Sequence, residues 1–81
     1  MTDQNLLTRI TSTPHILAGK PTVRGTRLSI EFILNLLAHG ATEADILAEY
    51  EGLVPEDMAA CLLFAGKSME NPLFMPLAEA A

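Results

Sequence analysis

Three cations stand close together in Gly19-Lys20-Pro21-Thr22-Val23-Arg24-Gly25-Thr26-Arg27, and no other stretch concentrates chemically capable groups in this way. It holds three of the five basic residues in a sequence of 81. Guanidinium groups offer paired donors to phosphate, carboxylate or the guanine edge, so recognition of an anion is the chemistry these residue types favour. Gly19, Pro21 and Gly25 are read as shaping the backbone that presents Lys20, Arg24 and Arg27: proline fixes φ, and glycine reaches positive φ without strain. Gly19-Lys20 is not a nucleotide-binding loop. That motif needs a glycine five residues before the second one and Ser or Thr after the lysine, whereas this chain has Pro14 and Pro21 there.

Other reactive types are scattered. His15 and His39 have no Cys, His or Asp at ligand spacing, and Cys61 falls on an apolar helical stripe, so no metal or other cofactor is expected. No paired nucleophile and base can be picked out, and the expectation is a protein that is not an enzyme.

The charge pattern sharpens the anion reading. Residues 1–27 carry four basic residues against Asp3, net +3, while residues 28–81 carry Lys67 against nine acids, net −8. A basic head on an acidic body can steer an anionic partner to the head, or let the head of one copy meet the body of another. The overall charge of −5 argues against indiscriminate nucleic-acid binding.

Size and composition limit the scaffold. Eighty-one residues suit one small domain, and a hydrophobic fraction of 49% is high for so little interior, so self-association as a homodimer is expected. The longest stretch without Asp, Glu, Lys or Arg, Phe32 to Thr42, falls short of the roughly 18 residues of a membrane span. Met1-Thr2-Asp3-Gln4-Asn5 lacks the basic start of a secretory signal, and the lone Cys61 cannot form an internal disulfide. A cytoplasmic bacterial protein without membrane contact is the expectation.

The elements that must hold the cations in place are read as follows. Asp3 to Leu7 leads into a strand around Thr8-Arg9-Ile10-Thr11, and Ser12-Thr13-Pro14 makes a turn. Thr22-Val23 and Thr26-Arg27-Leu28 flank Arg24-Gly25 as a tight turn with Gly25 at positive φ. Ser29 caps a helix over Ile30 to His39 that Gly40 stops, with Ile30, Ile33, Leu34 and Leu37 in one stripe and Phe32 and Leu36 outside it. Thr42 and Asp45 form a capping box for a second helix to about Tyr50. Pro55 with Glu56-Asp57 starts a third, whose stripe is Met58, Cys61, Leu62 and Ala65 and whose stop is Gly66. Such a bundle is helix-turn-helix-like, yet the third helix has no basic residue before Gly66 and is a poor reader of DNA, so DNA contact would fall to the basic head. Residues 67–81 are read as an extended apolar tail, with a frayed helical end from Pro76, in which Leu73, Phe74 and Met75 could plug a partner's groove or fold back on the domain.

With these residues in view, the chain resembles the bacterial family known as domain of unknown function 433, some of whose members are regarded as antitoxins. The resemblance rests on Pro14, Gly19-Lys20-Pro21, Gly25-Thr26-Arg27, Ile33-Leu34 closing at Gly40, Glu43 with Ile46-Leu47 and Tyr50, Leu53, and Glu56-Asp57 before Ala59-Ala60. It runs from about Arg9 to Ala65. It implies a homeodomain-like helix-turn-helix fold preceded by short strands, and a nuclease-like toxin as partner. Three positions depart from the usual pattern: Ala18 where a second glycine is common, Glu51 for a proline, and Val54 for a helix-capping Thr, the last weakening that helix start by roughly 1 kcal/mol.

The expected architecture is mostly α: strands and basic turn over 9–28, three helices over 29–66, a single domain over 1–66 and the tail beyond. The expected function is that of an antitoxin-like protein that binds a toxin and, through Lys20, Arg24 and Arg27, DNA. The alternative is a homodimeric protein-interaction module with no nucleic-acid role, in which Arg27 clamps a carboxylate of the acidic body.

Overall fold

The computed structural model describes residues 2–71, 73, 74, 78 and 79. The chain is mostly helical, with a small sheet near its start. In order the elements are α1 (Asp3–Leu7), β1 (Ile10–Ser12), a 3-10 turn (Leu17–Gly19), β2 (Thr22–Val23), α2 (Ile30–Ala38), α3 (Glu43–Glu49), α4 (Pro55–Glu70) and β3 (Ala78–Glu79).

The caps read from the sequence all form. Ser29 Oγ accepts from the Phe32 N–H at 2.9 Å and starts α2, while Gly40 follows its end at φ +101°. Thr42 and Asp45 exchange their bonds at 3.0 and 2.9 Å and start α3. The Asp45 carboxyl lies below the usual carboxylate range because it accepts from the Thr42 backbone N–H and then from the Thr42 side chain. At α4, Val54 has no side-chain acceptor, and only half of a capping box remains: Asp57 Oδ2 accepts the Val54 N–H at 3.0 Å.

Three local expectations are corrected. Asp3 to Leu7 is a helix rather than the approach to a strand, since Thr2 Oγ1 caps Asn5 N–H at 3.1 Å and Leu7 turns into the core; the strand begins only at Ile10. Gly66 does not stop α4, which runs on through Lys67 to Glu70. The stop is at Asn71, extended at φ −143°, as expected of a residue that precedes proline. Finally, Leu62 is 55% exposed, and the inner face of α4 is Met58, Ala60, Cys61 and Phe64.

β1 is the middle strand of three. It pairs antiparallel with β2, Ile10 opposite Val23 and Thr11 opposite Thr22, and parallel with β3, Thr11 opposite Ala78 and Ser12 opposite Glu79. The chain beyond residue 66 therefore does not simply trail away: it completes α4, and its backbone returns to β1. Ile10, Ile33, Ile46, Met58 and Cys61, each at most 1% exposed, are the centre of the core between this sheet and the helices. Leu36, off the main stripe of α2, lies beside Ile46 and Tyr50 of the α3 segment, and Phe32 meets Tyr50 edge-on at 5.9 Å. No helix among the described residues is long and apolar enough to cross a membrane.

Candidate functional site: a basic turn pinned to the core

The basic stretch is held at both ends by backbone bonds. The Ser12 hydroxyl donates to the Gly19 carbonyl, and the Lys20 N–H to the Leu17 carbonyl at 3.1 Å. Leu17, Ala18 and Gly19 all have positive φ, at 51°, 57° and 81°. Only the last of these is a residue type that adopts such angles freely. The Pro21 carbonyl then accepts the Ile30 N–H at 3.0 Å, fastening the stretch to the first turn of α2.

The turn itself closes with Thr26 N–H donating to the Val23 carbonyl at 3.0 Å, with Gly25 at φ +80° in the third position. A type II turn requires that sign of φ there. Val23 N–H donates to the Leu28 carbonyl, and Thr22 faces Ser29 as an antiparallel bridge, so a narrow hairpin forms as the sequence indicates. Thr26 locks it: its hydroxyl donates to the Val23 carbonyl at 2.8 Å and accepts from Leu28 N–H at 3.0 Å. Arg24 N–H donates to the Arg9 carbonyl at 2.7 Å, tying the tip to the end of α1 and the start of β1.

The four cations of the head separate by role. Arg9 points inward and pairs with Asp57 at 3.2 Å, where the Asp57 side chain is only 7% exposed. It is the internal clamp on the acidic body, a role the sequence left open for Arg27. Lys20 reaches Glu31 at 2.9 Å, both well exposed, so its ammonium already has a surface partner. Arg24 and Arg27 are exposed and make no ion pair among the described residues. Of the three side chains expected to contact a partner, two are thus presented and one is engaged.

A second feature lies across α2 and α4, a groove of about 590 Å³ whose floor is Ile30, Leu34, Ala38, Phe64 and Ala65, with Lys20 and Glu31 at its rim. In the tail, Phe74 folds back on Phe64 with ring centres 5.3 Å apart, while Leu73 is 85% exposed and Met75 lies outside the described residues; the helical end expected from Pro76 is corrected at Ala78–Glu79, which are extended and take their backbone partner from β1. Of the alternatives open for the tail, Phe74 takes the one in which it covers its own domain.

Cys61 is buried, and desolvation, helped by the Asp57 charge, pushes its thiol from the ordinary value near 9 up to about 12. It is a core side chain in its protonated form, without thiolate reactivity. His15 is exposed, and His39 donates through Nδ1 to the Asn35 carbonyl at 2.7 Å, finishing α2.

The residue that sequence reasoning missed is Thr13. It is 6% exposed, and its hydroxyl makes no hydrogen bond among the described residues. Its only sequence signal is its place in a run of three small hydroxyl residues, Thr11, Ser12 and Thr13, which read equally well as strand and turn formers.

The comparisons with known proteins agree with the resemblance drawn from the sequence as to the family. No curated protein is similar to the chain. Its fold is similar to the crystal structure of a DUF433 member protein from Anabaena variabilis ATCC 29413, at 30% identity and a TM-score of 0.69; the match covers 85% of this chain and 65% of that one. The family of proteins of unknown function DUF433 matches residues 10–65, from the first core residue of β1 to the middle of α4, and the chain belongs to that family.

Proposed function

We propose that the protein is a non-enzymatic binding protein of the antitoxin type, whose turn-borne arginines contact the phosphate backbone of DNA. One observation carries the reading: Arg24 and Arg27 project from a turn fixed by backbone bonds to β1 and α2, while Arg9 and Lys20 are already paired. A rigid turn holds its cations in place before contact, so less entropy is lost on binding. α4 does not compete for the role, since its first turn carries Glu56 and Asp57. A nuclease-like toxin as protein partner is implied by the resemblance, and Leu62, Met69 and Leu73, each more than half exposed, supply an apolar surface for it.

The test is an anisotropy titration of duplex DNA from upstream of the protein's own gene across a salt series. Wild type should bind with affinity that falls steeply with salt, and Arg24→Ala and Arg27→Ala should each lower the salt slope by about one. Absence of salt-sensitive binding near physiological ionic strength rejects the DNA contact.

A second reading, the homodimeric interaction module with no nucleic-acid role, is favoured by the groove between α2 and α4. In that case sedimentation finds a dimer that Leu34→Glu dissociates, and no DNA affinity accompanies it.

A further inference from the structure

Beneath the Arg24-Gly25 turn, β1, β2 and the turn enclose a hollow of about 350 Å³ lined by Thr11, Thr13, Thr22, Gly25, Thr26 and Arg27, with Ile16 as its large apolar side chain. We propose that this hollow is a binding site for a phosphate group. The inference deepens the reading of the head as an anion contact and rests on it, but it names a pocket and a hydroxyl that the reading does not use.

Three observations carry it. Among the described residues the lining contains one full positive charge, Arg27, which has no ion pair, and no carboxylate. Four threonines surround it. Among them, Thr13 is more than nine-tenths buried and its Oγ1 has no hydrogen-bond partner among the described residues. Buried hydroxyls are almost always satisfied, and an orphan calls for an explanation such as a ligand. Thr22 and Thr26 cannot provide the missing donor, since their hydroxyls already donate to the Thr11 and Val23 carbonyls. Thr11, Thr13 and the Arg27 guanidinium are therefore the side chains of the lining left with hydrogens to give. A tetrahedral oxyanion suits them, because its oxygens can take the two-pronged guanidinium and a hydroxyl together. The phosphate can be a free ion or a backbone phosphate of nucleic acid, and the chemistry of the hollow is the same for both.

Amide NMR on the full chain tests this. Inorganic phosphate should shift the Thr13, Gly25, Thr26 and Arg27 signals saturably, whereas chloride at equal ionic strength should not. Arg27→Ala should weaken phosphate at least roughly tenfold, the loss expected of a charge-assisted hydrogen bond. Thr13→Val, which keeps the shape, should weaken phosphate severalfold while raising the melting temperature, because it removes the orphan hydroxyl. Arg24→Ala, outside the lining, should change phosphate affinity by less than about threefold, as an exposed charge at a distance does. No saturable shift, or a Thr13→Val protein that binds like wild type, overturns the site. Duplex DNA separates the two sources and the two readings. If DNA moves the same amides, the phosphate comes from nucleic acid. If phosphate binds and DNA does not, the hollow stands, its ligand is a free phosphate, and the DNA contact fails. If DNA binds without moving Thr13 and Arg27, the DNA contact stands and the hollow is rejected.

Discussion

Arg9→Ala removes one side of the pair that joins the head to the last long helix. Asp57 would keep a carboxylate 7% exposed, with Oδ2 still accepting the Val54 N–H at 3.0 Å and Oδ1 left without its guanidinium. Breaking a fully buried pair from one side costs about 3–5 kcal/mol. Here the Arg9 side chain is 27% exposed and water reaches part of the site, so the cost is reduced to about 2–3 kcal/mol. A domain of this length has a total stability of roughly 4–12 kcal/mol, so the loss is a large share of it. Urea unfolding followed by circular dichroism should show a lower midpoint at unchanged slope, and the melting temperature should fall by roughly 10–20 °C. Adding Asp57→Asn should recover part of the loss, because the amide oxygen still caps Val54 and no charge stays buried. The cycle should give a coupling of about 1 kcal/mol or more. A single-mutant loss under about 0.5 kcal/mol, or additivity within that margin, refutes the internal-clamp assignment.

Other substitutions probe the backbone and the core. Ala18→Gly relieves an exposed residue at φ 57°, ψ 32°, and should stabilise by about 0.5–1 kcal/mol in denaturant unfolding, the αL penalty of alanine less the extra chain entropy of glycine. Gly66→Ala lies inside α4 with open space where a Cβ would stand, and should gain about 0.5–1 kcal/mol by the same assay. For Cys61 the folded thiol titrates near 12 and the unfolded one near 9, so above pH 9 the unfolded chain alone releases the proton. Stability should then fall by up to about 1.4 kcal/mol per pH unit until the folded thiol also ionises, and the difference between wild type and Cys61→Ala should isolate that slope.

The parts of this fold legible in the sequence are those set by near neighbours. Ser29, Thr42 with Asp45, and Pro55 mark helix starts because a cap bonds within three residues of itself, and Gly25 marks its turn because the type II geometry asks for its φ. The helix α1 escaped because five residues carry too little periodicity, and because a helix so short depends on what it packs against, here α4. Gly66 misled because its intrinsic cost of about 1 kcal/mol is small beside the packing of Phe64 and the turn that ends in Lys67 and Glu70. At the candidate site the sequence identified Arg24, Arg27 and the shaping glycines. It could not assign the clamp, since Arg9 and Asp57 are 48 residues apart and only the folded chain brings them together. Thr13 was invisible for the same reason, since the burial of its hydroxyl depends on strands and a turn that meet only in three dimensions.

The pairing of the first and last helices also orders events during synthesis. Leu7 and Arg9 are made well before Met58 and Asp57, and until α4 follows they have neither a surface to pack on nor a counter-charge. The β1–β2 pair and the α2–α3 unit involve shorter sequence separations and can close first. Arg9–Asp57 is then a latch set after most of the chain is in place, and its loss should accelerate unfolding far more than it slows folding. The turn that carries Arg24 and Arg27, whose bonds among the described residues run only to β1 and α2, can thus be in position before the latch fixes the head to the body.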